Sequence, residues 1–112
     1  MSHSDRLATA IGSGALVLPP DGTVVVLRAA PGPALDLIGR ARLICDQSFR
    51  PPHDALAEAG FRTEARASGP AAAVIVLLTR ARAENLGSVA RGLAMLATAL
   101  GPQVPYGLAI AL

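Results

Sequence analysis

The side chains able to do chemistry in this chain crowd into two short segments. The first, Gln47-Ser-Phe-Arg-Pro-Pro-His-Asp54, sets His53 and Asp54 close to Arg50, a grouping that invites a catalytic reading. It lacks a nucleophile: Ser48 is near, but no local motif holds it on a strained strand-to-helix elbow. Pro51 or Pro52 suits the first turn of a helix, so His53 is expected at a solvated helix start, where Asp54 complements the dipole. The second segment, Thr79-Arg-Ala-Arg-Ala-Glu-Asn85, carries Arg80, Arg82, Glu84 and Asn85. These residues suit contact with a phosphate or a partner. They equally suit a capped helix start, with Thr79 as N-cap, Glu84 in the first turn and the arginines in water. Both readings stay open.

Other candidates are weaker. Cys45 lies in the apolar run Arg42-Leu-Ile-Cys-Asp46 and reads as a small buried hydrophobe rather than a reactive thiolate. Gly12-Ser-Gly14 is a GxG fragment, but it follows a helix, whereas a dinucleotide loop leaves a buried strand and opens a helix. It reads as a helix stop. No Walker loop, paired cysteines or His-x-x-x-His spacing supports phosphate-loop or metal chemistry.

These residues depend on the elements around them. Ser4 to Ser13 reads as a short helix with Ser4 as N-cap, and Ala15 to Leu18 is a weak strand candidate. A Pro-Pro-Asp-Gly turn at 19–22 releases Thr23-Val-Val-Val-Leu-Arg28, apolar on both faces as in a parallel sheet. Ala34 to Gly39 makes one or two helical turns, Arg42–Asp46 is a second strand, and a helix runs to Ala59, closed by Gly60. Phe61 to Ala65 is a short strand and Ala73 to Thr79 the strongest one. A long helix follows from about Ala81 to Gly101, with Leu86, Val89, Leu93, Leu96 and Leu100 drawing one apolar stripe. Leu108-Ala-Ile-Ala-Leu112 is the last strand. This alternation predicts an α/β three-layer sandwich with a mainly parallel sheet. In such a sheet ligands bind at the carboxyl edge, which gathers Gln47, Arg50, Arg80, Arg82 and Asn85 on one rim.

Composition bounds the rest. The chain has 112 residues, 52% hydrophobic but only 3% aromatic, the size of one domain over residues 1–112 with a thin aliphatic core. The charge-free apolar run Ser68 to Thr79 is shorter than the ~20 residues of a membrane helix. All ten basic residues are arginine, against eight carboxylates, scattered rather than massed on one face, and no aromatic interleaving is visible. One cysteine allows no internal disulfide, and the polar start shows no export signal, so a cytoplasmic location is expected.

Ser4-Asp-Arg-Leu7, Gly14-Ala-Leu-Val-Leu-Pro19, Val24-Val-Val-Leu-Arg28, Phe49-Arg-Pro-Pro-His-Asp54, Ala59-Gly-Phe61 and Leu78-Thr-Arg-Ala-Arg-Ala-Glu-Asn85 follow one another in a familiar order. Over most of the chain, to about Leu100, this resembles the N-terminal part of bacterial methyltransferases similar to the small-subunit ribosomal RNA guanine-N2 methyltransferase. That family pairs two methyltransferase-like domains. Its C-terminal domain holds S-adenosylmethionine on a glycine-rich loop and carries an Asn-Pro-Pro-Phe type motif. Its N-terminal domain has lost both and supports folding and RNA binding. Here Thr79-Arg-Ala-Arg82 stands in place of the motif and Arg28-Ala-Ala-Pro-Gly32 in place of the loop. Gly101-Pro-Gln-Val-Pro-Tyr-Gly107 also departs from the family pattern, so no catalytic, cofactor-binding or metal residue carries over.

The resemblance implies a truncated, Rossmann-like half-domain without its catalytic C-terminal partner, holding no cofactor and inactive alone. It would act as a scaffold and weak auxiliary contact for ribosomal RNA, through Gln47, Arg50, Arg80, Arg82 and Asn85. A self-associating α/β module with no RNA role is the alternative. A stand-alone methyltransferase would need a cofactor site that the sequence does not show. In both surviving readings a homodimer is expected, joined through the uncharged C-terminal strand or the faces beside it.

Overall fold

The computed structural model describes residues 3–68, 70–78, 81–100 and 108–111. Its elements follow the sequence closely: α1 (His3–Gly12), β1 (Val24–Leu27), α2 (Pro33–Ile38), β2 (Leu43–Asp46), α3 (Arg50–Glu58), β3 (Arg62–Glu64), β4 (Ala73–Leu77), α4 (Arg82–Leu100) and β5 (Leu108–Ala111). The five strands form one sheet in the order β3-β2-β1-β4-β5, and every pairing is parallel. This is the order in which an open, doubly wound, Rossmann-like sheet runs. The expected α/β sandwich is therefore present.

The apolar runs behave as two-sided strands. Val24 and Val26 of β1, Leu43 and Cys45 of β2, and Ala73, Ile75 and Leu77 of β4 face one side. There they meet Leu7 of α1, Ala34, Leu35 and Ile38 of α2, and Leu56 of α3. Val25, Leu27, Val74 and Val76 face the other side, against Met95 and Leu96 of α4 and against Ala67 and Ala71 of the β3–β4 connection. Helices on both faces are what parallel crossovers require.

Turns sit where glycine and proline place them. Gly22, at φ 93, lies against the β4 approach so closely that a Cβ there would stand 2.6 Å from Ala72 Cβ. The Arg42 guanidinium donates to the carbonyls of Pro20, Asp21 and Gly22 and pins that turn. Gly39 and Gly60 follow α2 and α3 at positive φ.

Three sequence expectations need correction. Ser4 lies inside α1 rather than ahead of it, because the helix starts at His3. Ala15 to Leu18 forms no strand; it is loop, reached after Leu16 N–H donates back to Ala10 O. The stripe on α4 is kept only in part: Leu96 is buried and Val89 packs against the core, but Leu86 and Leu93 are 62% and 54% exposed, with Ser88, Gly92 and Met95 buried instead, and the Leu100 side chain lies outside the described residues. Small residues at 88 and 92 let the helix lie close to the sheet, so contact centres on Ser88, Gly92, Met95 and Leu96, with Val89 at its margin and Leu86 and Leu93 turned outward.

Candidate functional site

The chain leaves β1 toward β2 and β3, then returns to place β4 on the other side of β1. The carboxyl ends of neighbouring strands whose connections diverge leave a crevice. On the α4 face beside it lies a pocket of about 290 Å³, near the small end of ligand sites, which run from about 300 to 1,000 Å³. Residues following β1, β2 and β3 form its floor and wall, and α4 closes the side.

Arg28 directly follows β1 at φ 60, a left-handed backbone that an arginine adopts at some cost. Its guanidinium pairs with Glu84 in the first turn of α4. Asp46 ends β2 and shares the register of Leu27, which turns it toward α4. It is only 4% exposed. Its Oδ2 accepts the Ala67 N–H at 2.7 Å and Arg91 Nη2 at 2.8 Å, and Arg91 Nη2 also donates to Ala67 O at 3.0 Å. A buried carboxylate needs such partners. Two acids and two arginines of the pocket are thus committed to each other.

Gln47 locks the rim. Its Nε2 donates to Ala29 O at 2.7 Å and its Oε1 accepts the Phe49 N–H at 2.9 Å, tying the end of β1 to the start of α3. Phe49 precedes α3 in extended conformation, and prolines follow in the first turn. Phe49 lines the pocket and is 68% exposed. Arg66, after β3, lines the pocket too, and among the described residues it has no ion-pair partner.

The residues expected on the rim are therefore divided. Gln47 lines the pocket together with Glu84. Arg50 stands outside it as the first residue of α3, its Nε 3.6 Å from Asp54 Oδ2. Arg82 opens α4 in solvent, and Asn85 is half-buried one residue past Glu84. Thr79 and Arg80 lie outside the described residues. His53 Nδ1 sits 3.4 Å from Asp54 Oδ1 within α3, away from the pocket lining. Cys45 is fully buried, and loss of hydration pushes its thiol up to about 11.

Sequence reading missed Arg66, Ser88 and Arg91, and it took Asp46 only as a strand end. A charge three residues beyond Ser88 and four before Met95, on the buried side of α4, was the available signal. Phe49 also puts an aromatic beside arginines, where the sequence showed no interleaving. Among the described residues, no group of three or more metal-ligating side chains assembles, and no helix is long and apolar enough to cross a membrane. No family model, curated protein or solved structure matches the chain.

Proposed function

We propose that this chain is a non-catalytic, methyltransferase-like N-terminal domain, a scaffold for a catalytic C-terminal partner and an auxiliary contact for ribosomal RNA in the cytoplasm. One observation carries the reading: at the carboxyl-edge crevice the acids are engaged by the protein's own arginines, Glu84 by Arg28 and Asp46 by Arg91. A dinucleotide-type fold keeps glycines after β1 for close approach of phosphates and an acid near the end of β2 for a ribose hydroxyl. Here Arg28 follows β1 and reaches Glu84, while Asp46 at the end of β2 is held by Arg91 and Ala67. These residues do not fit S-adenosylmethionine. The cofactor belongs to the catalytic partner in this reading, and no reaction step runs through this chain.

The proposed RNA contact uses the residues that the sequence names, Arg50, Arg80 and Arg82 with Gln47 and Asn85. Each neutralised phosphate adds a slope of about −0.7 to the salt dependence on single strands, so a few arginines give weak, shallow binding. Titration calorimetry with S-adenosylmethionine should show no saturable heat; micromolar binding would overturn the non-catalytic reading. Fluorescence anisotropy with single-stranded RNA should show weak binding, reduced by combined Arg50→Ala, Arg80→Ala and Arg82→Ala substitution. A chain that binds no RNA loses the auxiliary contact.

The second reading, a self-associating module, is favoured by Leu86 and Leu93. They stand two turns apart on the outer side of α4, which lies over β4 and β5. In this reading a second copy covers them.

A further inference from the structure

We infer that the carboxyl-edge pocket takes one nucleotide of a single-stranded RNA, its base on Phe49 and its sugar–phosphate on Arg66 and Ser88; this rests on the RNA-contact reading above. The charge balance comes first. Of the pocket's three arginines, Arg28 and Arg91 are matched by Glu84 and Asp46, so Arg66 is the unmatched cation among the described residues. An anion entering the pocket finds one net positive charge, set at the mouth after β3. Ser88 gives an independent sign. It is 8% exposed, lines the pocket, and its hydroxyl has no hydrogen-bond partner among the described residues. A buried hydroxyl left open in this way is disfavoured, and a sugar or phosphate oxygen completes it.

Phe49 supplies the third element. A largely exposed phenyl ring gains nothing by burial, yet its backbone is fixed on both sides, by the Gln47 hydrogen bond and by the start of α3. A held aromatic face beside a cation is how proteins take unpaired bases, through stacking with an electrostatic contact to the backbone. The volume suits a single nucleotide-sized group.

The test is anisotropy with a fluorescein-labelled oligouridylate, joined to amide chemical shifts of the same chain. Phe49→Ala should weaken binding about tenfold. Arg66→Ala should weaken it and lower the salt slope by about 0.7. Ser88→Ala should weaken it while leaving the melting temperature unchanged or raised, which a merely structural hydroxyl would not do. The oligomer should also shift the amide resonances of Arg66 and Ser88. RNA binding that ignores all three substitutions but falls with Arg50→Ala/Arg82→Ala overturns the pocket and leaves the rim contact standing. Absence of RNA binding overturns both. A free nucleoside monophosphate that saturates those resonances, while the oligomer leaves them unmoved, overturns the RNA assignment in favour of a small metabolite.

Discussion

Asp46 and Arg91 meet across 45 positions of sequence, 2.8 Å apart. The carboxylate is buried and the guanidinium side chain about one-quarter exposed, so removing either leaves the other poorly hydrated. Breaking a fully buried pair costs about 3–5 kcal/mol; partial hydration of Arg91 brings the expectation to roughly 2–3 kcal/mol for Arg91→Met in urea denaturation. Asp46→Ala should cost a similar amount, and the double variant should fall short of additivity by about 1–2 kcal/mol. Strict additivity would mean that the two groups act independently. A second residue-scale test concerns Cys45, whose thiol is raised from 9.0 to about 11 by burial. Because the folded value lies above the unfolded one, the neutral thiol stabilises the fold fully below pH 9. That contribution fades as pH climbs through 11, a loss of roughly 2–3 kcal/mol. Cys45→Ala should flatten this alkaline limb, and the parent thiol should resist a disulfide reagent at pH 8 until the chain is unfolded.

At the scale of elements, β1, β2 and β4 were legible because each is a short apolar run beside turn residues, and parallel pairing buries both faces, whereas the charged β3 was marked only by its place after Gly60. Gly60 and the prolines of α3 likewise declared themselves by backbone chemistry. α4 was legible as a helix but not in its rotation. Of the expected line, Val89 and Leu96 pack inward, but Leu86 and Leu93 give way to Ser88, Gly92 and Met95, since small residues allow a close approach that no count of apolar positions reveals. The site divides in the same way. The carboxyl-edge rule led to Gln47 and to the first turn of α4, while Arg91 and Arg66 joined it through tertiary contacts that local spacing does not encode. The rotation is measurable. Leu96→Ala should cost about 2–4 kcal/mol, whereas Leu86→Lys and Leu93→Lys should stay within about 0.5 kcal/mol under dilute, monomeric conditions. The reverse ranking would place Leu86 and Leu93, not Leu96, on the buried face.

At the scale of the molecule, the two edges of the sheet differ. β3 is three residues long and carries Arg62 and Glu64, a short charged edge that discourages pairing. β5, Leu108-Ala-Ile-Ala111, has neither charge nor proline and hydrogen-bonds β4 on one side. Next to it, α4 exposes Leu86 and Leu93. Among the described residues β5 is paired on one side only, and α4 offers a second apolar surface, so the self-association reading expects a dimer mass by light scattering at micromolar concentration. The two surfaces separate by substitution. Leu86→Lys/Leu93→Lys should return the chain to monomer if the helix face is the interface, whereas Ala109→Pro should do so if strand pairing is. The helix pair is the better test, because it leaves the sheet intact and the lysines remain solvated in the monomer. A parent chain that is monomeric at these concentrations removes self-association, and Leu86 and Leu93 then belong to the surface that the scaffold reading offers its catalytic partner.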